Sequence, residues 1–171
     1  MTKGCCTDDT ARVQSQAARY LYEMISNRLF LSAFFSWFFA QLIKIAVDQV
    51  RGRTRSSRDV VATLIWKTGG MPSSHSSLVT GLATAIGVGY GVRSPVFTVA
   101  LFYGVLVIRD AMGVRRSSGL QAQKLNAIGR ELEERFDIVF EPVKEVSGHT
   151  PSEVSVGVLL GFFTGLAFSL L

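Results

Sequence analysis

Histidine and cysteine are scarce: the 171-residue chain holds two of each. Cys5 and Cys6 are adjacent, which excludes an ordinary disulfide framework and leaves S-acylation near the N-terminus as their weak suggestion. With only two histidines besides, no four-ligand metal cluster assembles by spacing, so no metal and no cofactor is expected. The basic residues lack interleaved aromatics, which argues against a nucleic-acid partner. The start of the chain lacks the charged, then apolar, then small-residue order of a secretory signal. Val154 to Leu171 lacks any charge at all.

What is present in quantity is apolar. Hydrophobic residues make up 48% of the chain and mean hydropathy is +0.31. They cluster in blocks of membrane-helix length, near the ~20 residues a bilayer crossing needs. The expected architecture is all-α: an integral membrane helical bundle with about four spans plus an N-terminal amphipathic helix. The spans are predicted at about 29–47, 76–92, 95–108 and 154–171. Gly157, Gly161 and Gly165 form a small-residue ridge of the kind that lets membrane helices pack closely. A soluble bundle with buried helices is the competing reading. Val13, Ala17, Leu21, Met24 and Ile25 recur at helical spacing, so residues 10–27 are read as an interfacial helix. Arg12, Arg19 and Arg28 against Glu23 alone leave an organelle-import segment open. The domain division is a tail and amphipathic helix over 1–28 and a single membrane domain over 29–171. Chloroplast, mitochondrion and bacterial-type inner membrane are not distinguished.

The two histidines stand in similar company. His75 lies in Gly69-Gly70-Met71-Pro72-Ser73-Ser74-His75-Ser76, and His149 in Gly148-His149-Thr150-Pro151-Ser152-Glu153. Each run directly precedes an apolar stretch. Simple capping or packing would explain one such histidine; two at helix mouths suggest chemistry, since imidazole serves as base, acid, nucleophile or ligand near neutral pH. The turn at 91–94 is too short to cross a membrane, so the second and third spans form an antiparallel pair. His75 and His149 are therefore expected on one membrane face. Arg51, Arg53, Arg55, Arg58, Lys67, Arg115 and Arg116 fall on that face and Lys3, Arg12, Arg19, Arg28 and Arg93 on the other, a slight bias toward a cytosol-equivalent site.

A metal-free phosphoester hydrolase needs a nucleophile, an acid for the leaving oxygen, and fixed positive charge for the remaining oxygens. His149 supplies the first, with Glu153 four residues on as the group that orients its ring. His75 supplies the second. Backbone amides at the helix start after Ser73 and Ser74, with Arg51, Arg115 and Arg116, supply the third. Asp110 is expected either to hold Arg115 or Arg116 or to pair with Arg109. Membrane lipids are the natural partners, a lipid phosphate among them, given the net charge of +5.

At these residues the chain resembles a known group. Pro72-Ser73-Ser74-His75 is similar to the Pro-Ser-Gly-His motif of the type 2 phosphatidic acid phosphatase and vanadium haloperoxidase superfamily, and His149-x3-Glu153 resembles its last motif, a nucleophilic histidine followed by aspartate. Asp110-Ala111-Met112-Gly113-Val114-Arg115-Arg116 and Gly119 to Asn126 look like one divergent branch of small membrane proteins, labelled acid phosphatase/vanadium-dependent haloperoxidase-related. The resemblance covers roughly residues 25–171. It implies that His149 forms a phosphohistidine, Glu153 partners it and His75 is the general acid. The superfamily's first motif, Lys, six residues, then Arg-Pro, is matched by Lys44 and Arg51, with Gly52 in place of proline. Lys44, deep in a predicted span, is either functional there or snorkels to the interface. Three departures stand out: Glu153 for Asp, Ser74 for Gly, and Val143 where an arginine precedes the nucleophile. The expected function is a lipid-phosphate phosphatase with a histidine nucleophile. The alternatives are a non-catalytic scaffold or accessory subunit of a larger membrane complex, a homo-oligomer included, and, weakest, vanadate-dependent halide oxidation.

Overall fold

The computed structural model describes residues 5–52, 70–145 and 148–171, with side chains from residue 12 onward. Arg53, Arg55, Arg58 and Lys67 of the basic loop lie outside the described residues. The described residues form six helices: α1 (Cys5–Ile25), α2 (Arg28–Val50), α3 (Ser74–Tyr90), α4 (Pro95–Met112), α5 (Val114–Phe136) and α6 (Pro151–Leu170).

Local sequence sets where the central helices begin. Ser73 caps α3, Ser94 caps α4 and Thr150 caps α6, each accepting a hydrogen bond from a first-turn amide. Pro95 and Pro151 occupy the first helical position, where a missing N–H costs nothing. α2 runs on to Val50, past the expected end at 47, so Asp48 is helical rather than in the loop.

Three helices, α2, the apolar stretch opening with Pro95, and α6, are long and apolar enough to cross a membrane. The remaining expected span, α3, has 17 residues and packs against α2, α4 and α6 at the centre of the bundle. α3 and α6 run parallel along a seam of small residues. A Cβ on Gly157, Gly161 or Gly165 would come within 2.4, 2.2 or 2.5 Å of the carbonyl oxygens of Ser73, Ser77 and Gly81. Backbone therefore meets backbone along two full turns, an approach only glycine permits. α2 runs antiparallel to both. Ser77 Oγ donates to the Ser36 carbonyl (2.8 Å), Phe35 stacks on Phe168 (4.6 Å) and Arg28 donates to the Leu171 carbonyl (3.2 Å). α4 packs antiparallel to α3 and leaves most of its own surface, including Val99 and Phe102, exposed. Phe30, Phe34, Phe162 and Phe163 are likewise exposed on α2 and α6. So much outward aromatic and aliphatic surface suits a hydrocarbon surround, not water.

α5 is the polar appendage. It leaves α4 at Gly113, and the chain returns alongside it through residues 137–145. Asn126 holds the helix and the returning segment together: its Nδ2 donates to the Val143 carbonyl and its Oδ1 accepts from the Val143 amide, both at 2.8 Å. The return brings Gly148 so close to Arg116 that a Cβ there would lie 2.4 Å from the Arg116 Cα. The next amide, of His149, donates to the Ala111 carbonyl at the end of α4 (3.0 Å).

Candidate active site

The C-terminal ends of α2 and α4 and the N-terminal ends of α3 and α6 gather at one mouth of the bundle, where both histidines lie. His149 is buried there, 7% exposed, just ahead of α6. Its Nδ1 lies 3.1 Å from Glu153 Oε2. The same oxygen accepts from the Thr150 amide (3.0 Å), and Thr150 Oγ1 in turn accepts from the Glu153 amide. This reciprocal capping box fixes the carboxylate relative to the ring by local geometry alone. A carboxylate in its ionised form only accepts, so it pairs with the tautomer that carries the proton on Nδ1 and keeps the lone pair on Nε2.

His75 sits on the first turn of α3 and is exposed. Arg115, His149, Lys44 and Asp110 all stand near enough to act on it electrostatically. The two imidazoles, a lysine and an arginine thus share one neighbourhood although they come from four segments. Arg115 is held by Asp110, with Nε 2.6 Å from Oδ2. Asp110 therefore takes the arginine across the Gly113 bend and not its neighbour Arg109. Successive helical residues point about 100° apart, which turns Arg109 away.

Lys44 is 2% exposed, so it stays within the protein rather than reaching for the interface. Its stem lies over Gly70, where a Cβ would meet Cε at 3.1 Å. Asp48, one turn along α2 from Lys44, is also buried and was not anticipated. The i, i+4 spacing of a lysine and an aspartate is the signal that marks it.

Ser73 and Ser74 are both buried. The Ser73 amide donates to the Glu153 carbonyl (3.0 Å) and its hydroxyl accepts from Ser76 Oγ (2.9 Å), so Ser73 ties α3 to the α6 mouth. That leaves the amides of Ser74 and His75 as first-turn donors the helix itself cannot use. Arg51 is exposed at the C-terminal end of α2, and Arg116 is exposed on α5 with its backbone against Gly148. Val143, where the superfamily pattern has an arginine, is engaged by Asn126 instead. Its position in the hairpin is structural.

Apolar helices around a polar mouth define an integral membrane protein of all-helical type. The chain belongs to the Divergent PAP2 family, whose model matches residues 25–164. It is also 34% identical over 158 residues to YuiD of Bacillus subtilis (strain 168), described as an uncharacterized membrane protein. That alignment covers 86% of this chain and 97% of the relative. No solved structure matches significantly.

Proposed function

We propose that the protein is a lipid-phosphate phosphatase that works through a phosphohistidine at His149. The observation carrying this reading is the His149–Glu153 pair at 3.1 Å, its imidazole buried, set beside His75, Lys44 and Arg115. Nε2 of His149 attacks phosphorus and forms an N–P bond as the ester P–O bond breaks. His75 protonates the departing alkoxide, releasing the lipid alcohol. Water then attacks the phosphohistidine, giving a proton to His75; the N–P bond breaks and inorganic phosphate leaves. Lys44, Arg115 and the Ser74 and His75 amides hold the non-bridging oxygens, whose charge the transition state concentrates. Arg115, held by Asp110 on this face, takes over the charge that Val143 does not supply. Arg51 and Arg116 lie at the rim, where they draw an anionic head group toward the mouth.

The test is release of inorganic phosphate from a lipid phosphate by the protein reconstituted in vesicles. Failure to release phosphate from any lipid or soluble phosphomonoester would leave a non-catalytic scaffold. His75→Ala is expected to lower kcat by roughly 10²–10⁴-fold, the usual weight of a general acid. Leaving groups that need no protonation, such as p-nitrophenolate, should be spared most of that loss; an equal loss on both contradicts the role. Glu153→Gln keeps an acceptor for the Thr150 amide but loses the charge that orients and stabilises the imidazolium. It should lower kcat by roughly 10²-fold with little change in KM. A change confined to KM would show that Glu153 only shapes binding.

A further inference from the structure

One feature of the mouth extends beyond the reacting groups. A groove of about 480 Å³ opens between α3 and α4, and His75, Asp110 and Arg115 stand at its outer end. The rest of its wall is Leu78 and Val79 on α3 and Tyr103, Leu106 and Val107 on α4. Tyr103, Leu106, Val107 and Asp110 follow one another at i, i+3, i+4 and i+7, so they form a single stripe of α4. Between Tyr103 and Leu106, α4 meets α3 at Gly104, where a Cβ would lie 3.7 Å from Val79. From Asp110 to Tyr103 is seven residues, about 10 Å of helix. One leaflet of hydrocarbon is roughly 15 Å deep.

Tyr103 and Leu106 are 58% and 65% exposed, so the groove is open sideways along its length. It lies in an apolar stretch able to cross a membrane, and therefore opens onto lipid. A polar end holding an imidazole and the Asp110-paired guanidinium of Arg115, with Lys44 acting on the same imidazole, joined to an apolar trough facing a bilayer, is complementary to an anionic amphiphile rather than to a free phosphate ester. We infer that this α3–α4 groove is an acyl-chain site: one chain of a phosphomonoester lipid enters sideways from the bilayer and lies along Leu78, Tyr103, Leu106 and Val107. Its phosphate is thereby placed against His75 and Arg115. The inference rests on the reading of the mouth as a phosphate-ester site, and it makes the groove the element that selects lipid over water-soluble substrates.

The experiment uses the full chain in phosphatidylcholine vesicles with a phosphatidic acid carrying a photoreactive group midway along one acyl chain. Photolabel is expected on the peptides containing Leu78 and Tyr103 to Val107. Excess unlabelled phosphatidic acid should reduce it at least 5-fold, whereas diacylglycerol of the same chains should not. Leu106→Trp, which fills the trough from an exposed position, should abolish the competable label. It should also lower the ratio of kcat/KM for long-chain phosphatidic acid over glycerol phosphate by about 10-fold. Phe102→Trp, on the outer face of α4, should change neither. Label that diacylglycerol competes equally, or that survives Leu106→Trp, overturns the groove assignment. Labelling does not require turnover, so a protein that hydrolyses nothing yet shows phosphate-dependent label supports the groove while defeating the phosphatase. Turnover with an unaltered chain preference in Leu106→Trp does the reverse.

Discussion

His149→Ala is expected to reduce phosphate release from lipid phosphate to the vesicle background, a loss on the order of 10⁵-fold or more. The size follows from the lack of a substitute. His75 is the only other imidazole in the chain. It is exposed and has no carboxylate at hydrogen-bond distance among the described contacts, whereas His149 has Glu153 at 3.1 Å. The variant should still fold. The anchors of this segment are backbone groups: the His149 amide on the Ala111 carbonyl and the Ser73 amide on the Glu153 carbonyl, each at 3.0 Å. Losing a buried ring costs about 1–3 kcal/mol, short of a typical domain's total stability. Activity measured beside a thermal unfolding curve separates the two effects. Retained activity in a folded His149→Ala protein contradicts the assignment.

Gly161→Val is expected to have the largest effect on the fold. Its Cβ would stand 2.2 Å from the Ser77 carbonyl oxygen and 2.9 Å from the Ser77 Cα, both backbone atoms that no rotamer change can move. Gly157 and Gly165 lie as close to Ser73 and Gly81, so relief at one position requires α3 and α6 to part along the whole seam. The cost should reach about 3 kcal/mol or more, the upper range for overpacking a close-packed site. Separation would also pull Ser73 from Glu153, and activity should be lost with stability. Leu159→Val, on an exposed part of the same helix, is the matched control. The check is thermal unfolding in detergent, followed by near-ultraviolet dichroism. Equal midpoints for the two variants would mean that the seam is not what holds the bundle.

The glycine ridge on α6 was legible in the sequence because it is periodic in an uncharged segment. Its partner was legible only at Gly81, a glycine within an apolar segment, because Ser73 and Ser77 are small polar residues whose burial only the packed helices reveal. The shared face of the two histidines followed from one short turn, since a four-residue connection forces antiparallel spans. The capping box was within reach for the same kind of reason: Thr150, Pro151 and Glu153 act over three residues, and local geometry is what sequence encodes most directly. Contacts across bends were legible only in part. Asp110 was expected to hold Arg115 or Arg116 or else to pair with Arg109, and the turn at Gly113 decides for Arg115; the Asn126 clasp on Val143, which spans 17 residues, had no sequence signal. Asp48 falls just past the expected end of the first span, because the apolar run stops at Val47. A buried charge carries no hydropathy signal, so the last turn of α2 was invisible by that measure.

The most direct measurement is rapid-quench trapping of the enzyme during turnover of ³²P-labelled lipid phosphate. A phosphoenzyme that is stable in base, labile in acid, mapped to the peptide holding His149 and absent from His149→Ala is the predicted result. Label on another residue, or steady phosphate release from His149→Ala, would contradict a phosphohistidine at this position.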